Sequence, residues 1–225
     1  MSDFVKLLTY YSLYKKYSVL RNMKIWLILG VIYAGFFFWY TDMGGKLTQA
    51  EIQDFVEKQE QNILNSGVSP DSEEFRLRID FITRFMEEDT GNQFIMVNNI
   101  EMNKDPGDVP GANPGESSDQ LLSRYMEHMW PNLLKRASHP IFGGNTISQS
   151  MDLVGIEGAE TWDQVALMRY KSRRAFLEIV THPDMNGRHE FKVEAMKKTI
   201  AYPCLLYTSD AADEGLGVDL GGRRI

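Results

Sequence analysis

The sequence predicts an α+β protein in which an antiparallel sheet carries helices on one face, preceded by a single transmembrane helix and a helical hairpin. Three observations lead to this prediction. Residues 25–41 form an uncharged apolar run. Two segments with helix-capping signals follow, between residues 47 and 90. From residue 92 to residue 203 the hydrophobic pattern switches between a period of two and a period near 3.6, which is typical of strands and helices in turn.

The last part of the chain lacks this periodicity. Residues 204–225 read CLLYTSDAADEGLGVDLGGRRI, and the parts CLLYTSDAADE and VDLGGRRI match translated adapters of sequencing libraries. Appended segments of this kind are set aside before a fold is predicted. We therefore expect residues 204–225 to be a non-native adapter translation. They hold four acidic residues and two arginines, a net −2 of the chain's −7, which leaves −5 for residues 1–203.

Composition excludes several classes of function. Nucleic-acid binding needs clustered Lys and Arg, and residues 1–203 are acidic, with no basic run beyond the first few dozen residues. The only cysteine, Cys204, lies in the adapter segment. Residues 1–203 therefore cannot supply a disulfide, a thiolate zinc site or a cysteine nucleophile.

Residues 25–41 predict a membrane helix. The run IWLILGVIYAGFFFWYT holds seventeen uncharged residues between Lys24 and Asp42, near the short end of what spans a bilayer. Aromatic residues at both ends suit the two membrane interfaces. Because no small-residue cleavage site follows, we expect residues 23–42 to be a retained signal-anchor. A buried core helix and a cleaved signal peptide are the alternatives.

Flanking charge predicts the orientation of this helix. Five basic residues precede it, and Lys46 is the one nearby base after it. Since positive flanks stay in the cytoplasm, we expect a single-pass protein of the bacterial inner membrane, with a cytoplasmic N-terminus and a periplasmic C-terminal domain. Residues 1–22 are apolar and basic, and either lie along the inner leaflet as an amphipathic helix or precede a true start at Met23.

A helical hairpin is predicted over residues 47–90. Thr48 and Glu51 form a capping box, which starts a helix that ends near Gly67. A second helix is expected from Ser69-Pro70, a cap followed by proline, and ends at residues 89–91. We expect an inert stalk in preference to a binding element.

The domain at residues 92–203 reads as alternating strands and helices. A strand is predicted at residues 93–102, followed by a loop rich in proline and glycine. Ser117 caps a helix that Pro131 should kink, and Ser172 caps a later helical region interrupted at His182-Pro183. A turn is predicted at residues 142–145. The remaining predictions are strands at 146–154 and 162–170, a helix at 184–198, and a strand from Thr199.

The resulting order, β-α-β-β-α-β, is that of the ferredoxin-like fold. Along the third strand, Val165 and Leu167 point to one side, and Ala166, Met168 and Tyr170 to the other. Both faces of the sheet are therefore apolar, and helices cover one of them. Covering the second face with a symmetric partner predicts a homodimer.

Residues Trp162 to Tyr202 also carry a family resemblance. They contain a W-D-x-V-A-L-x-R-Y strand, then S-R-x-x-F-L-E-x-V, a T-x-P break and a helix with a histidine. This stretch resembles the family called domain of unknown function 1330, of the dimeric α/β-barrel superfamily, and the similarity extends more loosely back to Phe94. The resemblance implies a dimer whose sheets face each other. It implies little chemistry, because the superfamily includes cofactor-free monooxygenases, haem-degrading enzymes, isomerases and ligand-binding regulators.

Candidate site residues are few. None of the four histidines forms a metal-ligand pair, so we expect no metal and no cofactor. Asn98, Tyr170 and His189 are the candidate catalytic residues; a backbone-bonded asparagine and a surface histidine are the plainer alternatives. The candidate ligand-binding residues are Tyr125, Trp130 and Arg169, with core packing or a salt bridge to Glu178 as alternatives.

Two functions fit this sequence. The first is a membrane-anchored dimeric protein that binds a small apolar molecule or serves as an assembly module. The second is a cofactor-independent monooxygenase or isomerase acting on a small apolar substrate. The lack of a recognisable nucleophile, metal set or phosphate loop in the sequence favours the first.

Overall fold

The computed structural model describes residues 2–182 and 188–205, which form six helices and four strands. The helices are α1 (Ser2–Tyr40), α2 (Gln49–Asn65), α3 (Glu73–Glu87), α4 (Ser118–Lys135), α5 (Arg173–Val180) and α6 (His189–Ala195). The strands are β1 (Phe94–Met102), β2 (His139–Asn145), β3 (Gln164–Tyr170) and β4 (Met196–Leu205). The chain divides into two compact units, Met1–Met43 and Gly44–Ile225.

The first unit consists of α1. The sequence suggested a basic segment at 1–22 and a separate helix at 23–42, whereas the structure has one continuous helix over Ser2–Tyr40. None of its C-terminal part, Asn22–Tyr40, is buried, and this part is long and apolar enough to cross a membrane.

The hairpin helices begin at their caps. The Thr48 hydroxyl accepts from the Glu51 amide and the Glu51 carboxylate accepts from the Thr48 amide, which confirms the predicted capping box. The second helix starts later than Ser69-Pro70. Ser72 is its N-cap, because the Ser72 hydroxyl accepts from the Phe75 amide at 3.1 Å and so satisfies a donor of the first turn.

The hairpin and the α+β segment share one core. The sequence separated residues 47–90 from residues 92–203, but both belong to the second compact unit. Met86 of α3 packs with Leu177 of α5 and with side chains from residues 47–55 in one buried cluster. The buried Asp89 carboxylate accepts from the Leu47 amide at 2.8 Å and lies 3.8 Å from the Arg173 guanidinium. The hairpin therefore packs as a layer of the domain.

The four strands form one sheet in the order β2-β3-β1-β4, and each neighbouring pair is antiparallel. The main core lies on one face of this sheet. There Phe94 and Met96 of β1, with Met168 and Tyr170 of β3, pack against side chains of α3, α4, α5 and α6. The structure is thus an α+β arrangement with helices on one sheet face.

The second strand lies earlier than predicted. Residues 146–154 were expected to form it, whereas β2 is His139–Asn145. Its glycines favoured a turn on local grounds, but pairing with β3 from His139↔Arg169 to Asn145↔Gln164 determines the strand. Pro140 is tolerated because β2 is an edge strand, where a missing N–H need not interrupt the sheet.

The fourth helix begins as predicted. Ser117 and Gln120 form a reciprocal capping box. Pro131 was expected to kink or loosen the helix, but α4 continues without a break to Lys135. The Ser172 cap of α5 is also confirmed, since its hydroxyl accepts from the Ala175 amide.

The C-terminal segment turns into a strand early. A helix was predicted to continue to Lys198, but α6 ends at Ala195 and β4 starts at Met196. Pairing of β4 with β1 begins at Met196↔Met102 and competes with further helix. Cys204 and Leu205, the start of the predicted adapter segment, pair with Ile95 and Phe94; residues 206–225 and the expected break at Pro183 lie outside the described residues.

Candidate functional site

The face of the sheet opposite the core is mainly apolar, with Asn99 as a polar residue on it. Successive side chains of a strand point to opposite faces, so Val97 and Leu167 lie on the side away from Phe94 and Tyr170. Among the described residues, neither of the two buried clusters includes this second set of side chains. We call it the open face: Ile95, Val97, Phe142, Val165, Leu167, Ile200 and Tyr202.

A continuous apolar row crosses the open face. Phe142 of β2 pairs with Leu167 of β3, Leu167 pairs with Val97 of β1, and Val97 pairs with Tyr202 of β4. Directly paired side chains on one face lie within contact distance. Phe142, Tyr202 and the neighbouring Ile200 keep between 43 and 54 % of their surface exposed. The open face is therefore a hydrophobic surface built by all four strands.

One end of the open face carries a buried carboxylate. Glu101 of β1 is bonded to the Lys197 ammonium at 2.7 Å and to the Lys198 ammonium at 2.9 Å. The Thr161 hydroxyl donates to it at 3.1 Å. Hydrogen bonds from the two lysines, opposed by desolvation and helped by Thr161, lower the Glu101 pKa from 4.5 to about 2. The carboxylate is therefore held charged.

The β2–β3 connection, residues 146–163, is fixed to this end and is called the arm. The Asp163 amide donates to the Ile100 carbonyl at 2.8 Å, and the Asp163 carboxylate accepts from the Met102 amide at 2.7 Å. Lys198 donates to the Gly158 carbonyl, and its ammonium lies 4.8 Å above the Trp162 ring. Because Glu101 and Lys198 are on the open-face side, the base of the arm is anchored on that side.

Arg169, a predicted ligand-binding residue, instead connects parts of the fold at the other end of the sheet. Its guanidinium is buried and donates to the Gln93 side chain at 2.7 Å and to the Ala137 carbonyl at 2.9 Å. Glu178, its expected partner in a salt bridge, pairs with Arg136 at 2.8 Å. These bonds fix β3 to the end of α4.

Two predicted site tyrosines lie in the core. Tyr125 of α4 and Tyr170 of β3 are both buried in the main cluster. Burial raises the pKa of Tyr125 to about 12, and burial together with Tyr125 raises the pKa of Tyr170. The Lys192 ammonium lies 5.8 Å above the Tyr125 ring, and desolvation lowers the Lys192 pKa. The sequence gave no reason to select Lys192.

The other candidates are dispersed. The Asn98 amide donates to the Met96 and Ala166 carbonyls at 3.1 and 3.2 Å, which matches the backbone-bonded alternative. His189 lines a shallow cavity of ≈ 290 Å³ to which neither Asn98 nor Tyr170 contributes. Burial, Lys192 and Arg78 lower the His189 pKa. Trp130 is exposed on α4. The structure therefore brings Tyr125 and Tyr170 together, and does not place Asn98 and His189 in one cavity.

Sequence reasoning found part of the open face. Alternation along the first predicted strand puts Ile95 and Val97 on one side. Val165 and Leu167 were recognised from their alternation, but Phe142 was assigned to a turn. Ile200 and Tyr202 fell in a strand whose register was unknown. Glu101 could have been found from its position two residues after Asn99 on the same face of an apolar strand, a pattern in which a charged residue needs a partner.

Comparison with known proteins finds solved structures that are similar to part of this chain. No protein-family model matches the chain, and no curated protein matches it. A crystal structure of a protein of unknown function from Rhodopseudomonas palustris has 16 % identity and a TM-score of 0.47, covering 57 % of this chain and 93 % of that one. The methylated form of that protein gives 16 % and 0.48, with 58 % and 92 % covered. What the described residues define is an α+β protein with one helix apolar enough to span a membrane.

Proposed function

We propose that this protein is a membrane-anchored module that self-associates through the open face and holds a small apolar molecule between the two sheets. The single observation that supports this best is the apolar row from Phe142 to Tyr202, which crosses all four strands. Contiguous exposed apolar surfaces on soluble domains mark interaction sites. A second copy offers the same self-complementary surface by symmetry.

The strand order supports this arrangement. The order β2-β3-β1-β4 with antiparallel neighbours and helices on one face is the pattern of the ferredoxin-like fold. Two such sheets facing each other form the dimeric α/β barrel that the resemblance of Trp162 to Tyr202 implies. Paired side chains of the two open faces then form an apolar interior, which suits an apolar ligand.

Anchoring favours this association. The segment Asn22–Tyr40 supplies the proposed anchor, with the following domain outside the cytoplasm. Two copies confined to one bilayer meet at a higher effective concentration than in solution. A weak contact between open faces is then sufficient for a dimer in the membrane.

The enzymatic alternative, a cofactor-independent monooxygenase or isomerase, has one observation in its favour. Lys192 is desolvated above the buried Tyr125 ring, and perturbed groups of this kind occur at catalytic sites. The geometry favours this alternative less, because Asn98 is bonded to backbone and His189 lines a different surface.

The first test places a charge in the apolar row. The fragment beginning at Gly44, which is one compact unit, is measured by size-exclusion chromatography with light scattering. Val97→Glu should convert a dimer into a folded monomer, because a carboxylate buried at the centre of the interface would be unpaired. Leu77→Glu, on the exposed surface of α3, is the matched control and should remain dimeric. A fragment that stays monomeric, together with a full chain that is monomeric in detergent micelles, would refute self-association.

A further inference from the structure

The arm, residues 146–163, presents apolar side chains to solvent. Ile147, Met151 and Val154 are each at least 83 % exposed, and Ile156 is 61 % exposed. Isolated exposed apolar residues are ordinary, but several on one short segment indicate a contact surface. These four side chains contact little of their own domain, so the sequence of the arm is not explained by the fold of one copy.

The arm is nevertheless held in place by hydrogen bonds between its own residues. The Thr146 amide donates to the Asp163 carbonyl at 2.9 Å, and the Ser150 amide donates to the Glu160 carbonyl at 2.9 Å. The Ser150 hydroxyl donates to the Ala159 carbonyl at 2.9 Å. These bonds extend the β2–β3 hairpin beyond the sheet, with Met151, Val154 and Ile156 beyond the second of them.

The position of the base of the arm determines which partner the rest of the arm can contact. Glu101 and Lys198 hold Thr161, Trp162 and Gly158 on the open-face side of the sheet. A partner that covers the open face therefore stands beside the arm. One partner can cover both surfaces.

The size of the apolar surface also favours one partner that covers both the open face and the arm. A stable interface takes about 20–30 residues from each partner, whereas the open face offers seven apolar side chains. The arm has 18 residues, and its addition brings the surface into that range. The arm therefore enlarges the contact that the open face can make.

Charge disfavours the membrane as the occupant. The arm contains Asp152, Glu157, Glu160 and Asp163, and no lysine or arginine. Anionic bilayer surfaces attract basic segments and repel acidic ones. A protein surface is therefore the better match for these apolar side chains.

We propose that the arm of each copy packs against the second copy and buries Ile147, Met151, Val154 and Ile156 in that contact. The proposal rests on the proposed self-association through the open face. It adds a reciprocal contact between the two copies. The arm of each copy closes one end of the space between the two sheets, and it therefore controls the entry of a small ligand.

The test uses the full chain in detergent micelles and measures dimer dissociation by sedimentation equilibrium. The triple variant Ile147→Ser, Met151→Ser, Val154→Ser should weaken the dimer at least tenfold. The matched control is Leu77→Ser, Phe81→Ser, Val193→Ser, which replaces three side chains that are between 60 and 64 % exposed elsewhere in the second unit. The control should change dissociation less than twofold. Equal effects of the two triple variants would overturn the proposal.

A second readout identifies what the arm touches. An environment-sensitive fluorophore is attached to Val154→Cys in a Cys204→Ser background, and the chain is reconstituted in vesicles of phosphatidylethanolamine and phosphatidylglycerol. Emission typical of an apolar environment should be seen, and should be lost when Val97→Glu separates the copies. Apolar emission that persists in the Val97→Glu chain would assign the arm to the bilayer, and polar emission in both would leave it in water. Either result overturns the proposal.

These results separate the two ideas. A dimer that Val97→Glu breaks and the arm variant does not break would retain the proposed function and refute the arm contact. A chain that is monomeric without substitution would refute both.

Discussion

Glu101 shows how one residue links three segments. Its carboxylate accepts from Lys197 and Lys198 of β4 and from Thr161 of the arm. Since a partly buried carboxylate without donors is costly, these partners explain why a charged residue stands in an apolar strand. The same bonds fix the base of the arm to the sheet.

At acid pH this residue should weaken the fold. The folded pKa of about 2 lies below the unfolded value of 4.5, so Glu101 stabilises the native state fully above pH 4.5 and loses that contribution as pH falls towards 2. Glu101→Gln should therefore lose less stability than the unsubstituted protein between pH 5 and pH 3. Urea unfolding at both pH values measures the difference.

The control for this prediction is Glu116→Gln. Hydrogen bonds from Arg124 lower the Glu116 pKa in the same direction, to about 2, but Glu116 does not touch the arm. Both variants should be less sensitive to acid, whereas faster amide hydrogen exchange at residues 158–163 should be seen only in Glu101→Gln. Unchanged exchange there would show that Glu101 does not fix the arm.

At the scale of elements, α3 joins the hairpin to the sheet. Phe85 lies in the main core, and Met86 lies in the second cluster with Leu177. Arg173 of α5 donates to the Phe85 carbonyl, and its guanidinium lies 4.6 Å above the Phe85 ring. Consecutive residues of one helix therefore contact two hydrophobic clusters, which is why the hairpin cannot be a separate stalk.

Truncation in α3 should test this packing. Met86 is 1 % exposed, and Met86→Ala should lower the free energy of unfolding by about 2–5 kcal/mol because it leaves a cavity. Leu77→Ala, on the exposed side of the same helix, should change it by less than about 0.5 kcal/mol. Urea denaturation of the fragment beginning at Gly44 gives both values. A Met86→Ala cost as small as that of Leu77→Ala would indicate a loosely attached hairpin.

Features that depend on neighbouring residues could be predicted from the sequence. Features that depend on contacts between distant segments could not. The boxes at Thr48–Glu51 and Ser117–Gln120 lie within four residues, so both could be predicted. The placement of β2 depends on pairing Phe142 with Leu167, far along the chain, and local glycines suggested a turn instead. Arg169 could be selected as a polar residue at a strand end, but its partners Gln93 and Ala137 come from distant segments.

At the scale of the molecule, the two units carry different surfaces. In α1 none of the segment Asn22–Tyr40 is buried, whereas the second unit has its main core on one face of the sheet. In the proposed function, lipid covers the apolar helix of α1, and a second copy covers the open face and the arm.

Orientation is the last prediction. In membranes isolated from bacterial cells the full chain should resist extraction at alkaline pH, and Leu29→Arg with Ile32→Arg should release it, since each charge at mid-membrane costs about 2.5–3.5 kcal/mol. In a Cys204→Ser background, Leu77→Cys, on the exposed surface of α3, should react with a membrane-impermeant maleimide once the outer membrane is permeabilised. Tyr14→Cys, before the helix, should react only after lysis, because the basic flank keeps it in the cytoplasm. The reverse labelling pattern would place the domain inside the cell, and equal labelling of both sites would remove the anchor from the proposal.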